Sequence, residues 1–568
     1  MSPGTWLIAG AGPLGNGLSS ALESKLGDSA LRRVADTVAA GAGDADNGIE
    51  EVIYLAASRS PFPGRPDPAD AGASIGEALA AGVKHVVLVS SSRVVSPDNH
   101  HSGMVEENAA QPGHRINSIS ASWRELEERA AEVVRGRARL TVLRPTPTPL
   151  GGGEDQFSRL LRRGHWALTL PGHDPSLQFL ALNDLADGIV SALERSSGGT
   201  YYLAPRSVVP LRRALRLAGA RRVPFPRLAR KVLRRFRRGP DRRFGGEELE
   251  FLRYFWTVSG ARAERELGFR PRHSSAEVAA SLGDGSALED GADCDDFGMD
   301  PGYIEFYRRT LLRFLHDRYW RIEARGLEHI PALGGAVLVG VHRGFMPWDG
   351  VMALEEVARA SGRYVRFLIH PGLVKFPFLF NFMTKLGGVP ANRVNGERLL
   401  ARGEVVGIFP EGIRGAFSLY RNAYRLKRFG RDEFVRMAIR RQVPLIPFAT
   451  VGSAEIFPIL ARVDWLWWRR WTEWPCLPIT PTFPIAPVPL PAKWHTRFLD
   501  PIPTAGRIPP EAAEDPEVVR RLSDEIRSRL QVAIDEMRGR RRHIFFGSIF
   551  PPAEGASSPS RGARKAES

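Results

Sequence analysis

Residues 336–350 read AVLVGVHRGFMPWDG, an apolar run that ends in a histidine, with an aspartate seven positions beyond it. His342 and Asp349 are the residue types of a general base and its orienting carboxylate. A neutral imidazole takes a proton near neutral pH, and a carboxylate on the other ring nitrogen fixes the tautomer. Seven residues of straight helix would set the two about 10 Å apart, too far for a hydrogen bond. Gly344 and Pro347 stand between them and argue against a straight helix, so the spacing predicts a turn that returns Asp349 to the ring. Taken alone, the pair reads better as a strand end followed by an ordinary surface turn.

Further stretches bear on that choice. KLGGVPANRVNGERLLARGEVVGIFPEGIRG (385–415) holds a Gly-rich turn before Arg393, a polar helix, and an apolar strand closed by Pro410, Glu411, Gly412 and Arg414. VPLIPFATVGSAE (443–455) is a second buried strand bounded by prolines. The planar fork of arginine suits phosphate, so Arg393 and Arg414 read either as phosphate ligands or as solvated surface charges. Glu411 carries the wrong charge for phosphate, and positioning an arginine or an acceptor hydroxyl suits it better.

The order and spacing of these blocks resemble the glycerolipid acyltransferase superfamily over roughly 300–505: a His–Asp block, a Gly-rich block with Arg, F-P-E-G-[TS]-R, and V-P-[IV]-[IV]-P. The resemblance implies transfer of a fatty acyl group from acyl-CoA or acyl-carrier protein to a glycerolipid hydroxyl, in the manner of a 1-acylglycerol-3-phosphate acyltransferase. It implies His342 and Asp349 as catalytic, Arg393, Glu411, Gly412 and Arg414 as substrate-binding, and neither metal nor cofactor for the transfer. Two departures stand out. Six residues separate His342 from Asp349 where four are commoner, which looks like the monoacylglycerol/diacylglycerol acyltransferase-like branch and keeps neutral acceptors open. Ile413 occupies a position where the superfamily usually has a hydroxyl residue.

The N-terminal half reads as alternating strands and helices. TWLIA (5–9), EVIYLAAS (51–58), HVVLVSSSRVV (85–95) and RLTVLRP (139–145) are apolar strands separated by helical stretches, the pattern of a parallel α/β sheet. Gly10, Gly12 and Gly15 have the G-x-G-x-x-G spacing that lets a backbone approach a pyrophosphate. Residues 1–281 resemble the extended short-chain dehydrogenase/reductase family, the NAD-dependent epimerase/dehydratase group. Its Tyr-x-x-x-Lys pair falls in ISASWRELE (119–127), where Ile119 and Trp123 stand instead, and Ser92 matches the family serine without its partners. No clear second strand ending in an acidic residue precedes VIYLAA. An isoleucine exchanges no proton, so the expectation is a Rossmann-like doubly wound sheet without redox or epimerase chemistry. Residual NAD(P) binding, and a bifunctional chain that keeps some of that chemistry, stay open.

The chain's 568 residues suggest several domain-sized units. We assign 1–283 to the dehydrogenase-like domain, 284–299 to an acidic Gly-rich linker, 300–545 to the acyltransferase domain and 546–568 to a disordered tail. Two cysteines, Cys294 and Cys476, exclude a disulfide framework and point to a reducing compartment. The start is not a signal peptide, and no apolar run is long enough to span a bilayer. A formal net charge of +16 favours anionic partners, and no nucleic-acid-binding motif is present. DWLWWRRWTEWP (464–475) packs five tryptophans into ten residues, which on a helical wheel cover half the circumference with Arg469 and Arg470 opposite. That suits insertion at a membrane interface, or else a buried helix. The expectation is a cytoplasmic protein held peripherally at the inner face of the membrane. The arginine run at 221–243 is a second basic candidate, and GLVKFPFLFNFMTKLGG (372–388) a candidate lining for an acyl chain.

Overall fold

The computed structural model describes residues 5–9, 13–26, 31–35, 49–56, 65–98, 103–108, 116–151, 153, 155–195, 198–224, 247–254, 256–283, 294–430, 432–472, 474–486 and 488–550. The chain divides into two compact units, Met1–Phe306 with Leu368–Asn395, and Tyr307–Phe367 with Gly396–Ser568.

In the first unit six parallel strands lie in the order Leu31–Ala35, Thr5–Ala9, Ile49–Leu55, His85–Val89, Arg139–Pro145 and Gly199–Leu203. Parallel neighbours require crossovers, and helices Pro13–Leu26, Pro68–Ala80, Ser118–Val134 and Leu182–Arg195 supply them. The helices cover both faces, so HVVLV is buried along its whole length. One core gathers Ile75, Leu88, Leu126 and Trp123, and the other gathers Leu18, Ile53, Val87 and Ile189. This is the doubly wound Rossmann-like sheet expected from the sequence.

A second strand does exist. LRRVA (31–35) pairs with Thr5–Ala9, and its tandem Arg32 and Arg33 broke the apolar run that reveals a strand. The next residue in the sequence is Asp36, an acid twenty-one positions after Gly15, and it lies outside the described residues. Of the stretch assigned as a linker, 284–293 lies outside the described residues, whereas Cys294 and Phe297 are buried. Helix Pro377–Lys385 also belongs to this unit, where Lys385 pairs with the buried Asp174 at 3.1 Å.

The second unit is built on strands Glu323–Arg325, His495–Phe498, Leu445–Val451, Ala336–Gly340, Val405–Ile408 and Val365–Ile369, in that order. All neighbours are parallel except His495–Phe498 against Leu445–Val451. The last two residues of Val365–Ile369 pair with Val389–Pro390 inside the first unit. The long helix Pro516–Arg540, capped by Asp515 and with Pro516 at its first position, buries Leu522, Ile526, Leu530 and Ile534 on one face. Residues 546–550, assigned from composition to the tail, pack here instead: Ile549 is buried and the Phe550 ring lies 5.8 Å from that of His495. Residues 551–568 lie outside the described residues.

Candidate active site

Ala336–Gly340 is a central, wholly buried strand, and His342 emerges just past its carboxyl end, where parallel α/β sheets present ligands. Gly344 then takes φ 71°, a backbone conformation that side-chain-bearing residues rarely adopt, and the chain turns into helix Trp348–Ser361. Asp349 is the second residue of that helix, at the end that favours negative charge. Its Oδ2 lies 2.8 Å from His342 Nδ1 and accepts the Arg343 backbone N–H at 2.6 Å. The Asp349 side chain is fully buried, and that of His342 is 16% exposed. A carboxylate can only accept, so the neutral ring carries its hydrogen on Nδ1 and keeps the Nε2 lone pair.

Arg343 escaped the sequence reading. Its guanidinium donates to Glu411 Oε2 at 2.6 Å, to the His342 carbonyl at 2.7 Å, and to the Ala423 carbonyl. Glu411 takes the Lys427 N–H on its other oxygen at 3.0 Å. The glutamate of the Pro-Glu-Gly turn therefore holds a buried arginine. Gly412 sits at φ 57° and its N–H donates to the Phe409 carbonyl at 2.9 Å, so that N–H is spent within the turn. Arg414 is exposed on the short helix Gly412–Ala416, and Ile413 is half-buried. Arg393 is exposed at the start of helix Arg393–Ala401, in the segment that belongs to the first unit.

The floor of the site is aromatic. Phe409 lies 5.1 Å from the His342 ring, stacks on Phe367 at 5.3 Å and meets Phe448 edge-on at 5.9 Å. Gly340 makes this possible: a Cβ there would fall 2.2 Å from Phe448 and 2.7 Å from Phe409.

The first unit presents a different picture. Ile119 and Trp123 are buried in its core on helix Ser118–Val134. Ser92 is buried too, with no hydrogen-bond partner for Oγ among the described residues. The neighbouring Arg93 guanidinium lies 5.3 and 5.2 Å from the Phe157 and Phe251 ring centres and donates to Gln156 at 2.9 Å. Burial lowers its pKa from the ordinary arginine value. Packed hydrocarbon and indole do not fit the nicotinamide end of a dinucleotide. Gly10 and Gly12 lie outside the described residues, and Gly15 is buried in helix Pro13–Leu26. Among the described residues no group of His, Cys, Asp or Glu could hold a metal ion, and no helix is long and apolar enough to cross a membrane.

Residues 321–451, which hold the histidine–aspartate pair and the Pro-Glu-Gly turn, match the protein family described as Acyltransferase. The chain is 38% identical over 258 residues to the uncharacterized protein Rv0502 of Mycobacterium tuberculosis, spanning 44% of this chain and 72% of that one. The chain belongs to the same family as that mycobacterial protein. It is also 26% identical over 264 residues to phytyl ester synthase 2 of Arabidopsis thaliana, covering 41% of this chain and 37% of that one. Among solved structures, MoeE5 in complex with UDP-glucuronic acid and NAD aligns with 49% of this chain and 97% of its own, at 21% identity and a TM-score of 0.39.

Proposed function

We propose that the chain esterifies the hydroxyl of an uncharged lipid alcohol with a fatty acyl group taken from an acyl thioester, coenzyme A or acyl-carrier protein. The observation that carries this reading is the 2.8 Å contact between His342 Nδ1 and the buried Asp349, which leaves Nε2 as a neutral base. The acceptor oxygen attacks the thioester carbonyl while Nε2 removes its proton. Asp349 stabilises the imidazolium that forms. The C–S bond then breaks, and the imidazolium returns the proton to the departing sulfur. No acyl-enzyme is needed, because the acceptor is itself the nucleophile. With the Gly412 N–H engaged, the backbone at Gly344 is the better candidate for holding the oxyanion.

Three observations favour an uncharged acceptor over 1-acylglycerol-3-phosphate. Glu411 is committed to Arg343, Ile413 brings hydrocarbon where a hydroxyl is usual, and Arg414 is exposed. The likeness to phytyl ester synthase 2, whose name places an uncharged long-chain alcohol in its product, points the same way. The test is product analysis by lipid mass spectrometry. Purified chain is supplied with mixed acyl thioesters and a panel of lyso-phospholipids, mono- and diacylglycerols and long-chain alcohols. Esters of the uncharged acceptors are expected from the wild type and not from His342→Ala. Acylation confined to phosphorylated acceptors overturns the acceptor, and no ester from any acceptor overturns the reaction.

A further inference from the structure

Strands Ala461–Val463 and Leu477–Ile479 pair antiparallel, and the segment between them folds into the short helix Leu466–Thr472 at the hairpin tip. The helical wheel placed tryptophans on one side and arginines on the other. The structure arranges them otherwise, because the helix is only seven residues long. Trp465 and Trp467 are 50% and 57% exposed, Leu460 and Leu466 more so, and Arg462, Arg469 and Arg470 are exposed among them. Asp464 pairs with Arg469 at 3.5 Å. Trp468 turns inward instead, to within 6.0 Å of Trp474.

From that tip, rings in succession lead to the catalytic loop. Trp465 lies 5.9 Å from Trp467, which lies 5.9 Å from Trp468. Trp474 then lies 5.5 Å from Phe345 and 5.2 Å from Phe417. Phe345 is buried three residues beyond His342, in the turn that brings Asp349 back. One end of the ridge is exposed to solvent and the other lies in the turn that follows His342.

Large apolar side chains left in water beside guanidinium groups mark a surface made to be covered. Indole next to arginine matches the headgroup layer of an anionic bilayer, where the ring sits at the interface and the cation meets phosphate. We propose that this hairpin tip seats the chain on an anionic membrane surface, a proposal that does not depend on the acyl-transfer reading.

The test uses the full chain and vesicles of phosphatidylcholine with roughly a third phosphatidylglycerol, free of acceptor and thioester. The wild type is expected to float with these vesicles and to release as salt rises. Brominated acyl chains should quench part of its tryptophan fluorescence. Trp465→Ser with Trp467→Ser should weaken vesicle binding roughly tenfold or more, with an unchanged circular dichroism spectrum, because both side chains are already half-exposed. Equal binding by the variant overturns the proposal, as does a wild type that never floats. An oligomer that forms without lipid and falls apart in the variant overturns it in favour of a second copy of the chain. Normal flotation with no ester formed from any acceptor supports the seat and overturns the acyl-transfer reading.

Discussion

The Arg343 guanidinium meets the Glu411 carboxylate at 2.6 Å, with each side chain only 2% exposed. Through its backbone N–H the same arginine also holds Asp349 Oδ2, so one residue ties His342 and its carboxylate partner to the Pro-Glu-Gly turn. Removing one side of such a buried pair strands the other charge, at a cost of about 3–5 kcal/mol. Glu411→Ala should therefore lower the urea midpoint of unfolding as well as acyl transfer. A variant with native stability and a raised KM would instead make Glu411 a substrate contact.

Asp349→Asn keeps the shape but lets the amide donate or accept, so the imidazole loses its enforced tautomer. Turnover should fall about 10²–10⁴-fold, with His342→Ala at least as damaged. Thioester cleavage by purified variants, followed through release of the free thiol, provides the measurement. Wild-type turnover in His342→Ala removes that residue from the mechanism.

Glu356 stands two helical turns beyond Asp349, fully buried. Neither carboxyl oxygen has a hydrogen-bond partner at close range among the described residues, and burial outweighs the nearby Thr496 hydroxyl and Arg359, pushing the group up to about 8. The unfolded carboxyl titrates near 4.5, so between the two values the folded chain keeps a proton that the unfolded chain has released. Stability must then fall as pH rises through that window, by up to about 1.4 kcal/mol per unit, and level off above it. Glu356→Gln removes this slope. Unfolding midpoints of wild type and variant should diverge from pH 5 to 8 in favour of the variant, and parallel curves would exonerate Glu356.

Trp123 occupies the position of the dehydrogenase family's lysine and is among the largest fully buried side chains of the described residues. Trp123→Ala should behave as a core truncation and cost about 3–5 kcal/mol. A loss under roughly 1 kcal/mol, within the range of substitutions away from the core, would mean that the indole lines an open cleft.

The parts of the site that follow one another along the chain were legible from residue order. The turn between His342 and Asp349 is written in Gly344 and Pro347, and the alternation of apolar runs announced the N-terminal sheet. What stayed hidden depends on distance or on a broken pattern. Arg343 was in plain sight, but its partner lies sixty-eight residues away. Strand Leu31–Ala35 was masked by two adjacent arginines. The tryptophan segment was read on an ideal wheel, whereas the hairpin allows it only two turns of helix. Nothing in the sequence of 368–395 says that it groups with the first unit.

Gly340 carries a last consequence. By leaving room for Phe409 and Phe448, it puts hydrocarbon against the imidazole. An activated carbonyl held over that surface meets far fewer solvent molecules than it would in the open. On the acyl-transfer reading, the ratio of ester to free acid released would then be set partly by a residue with no side chain, and a methyl group at 340 would spoil yield before it spoiled speed.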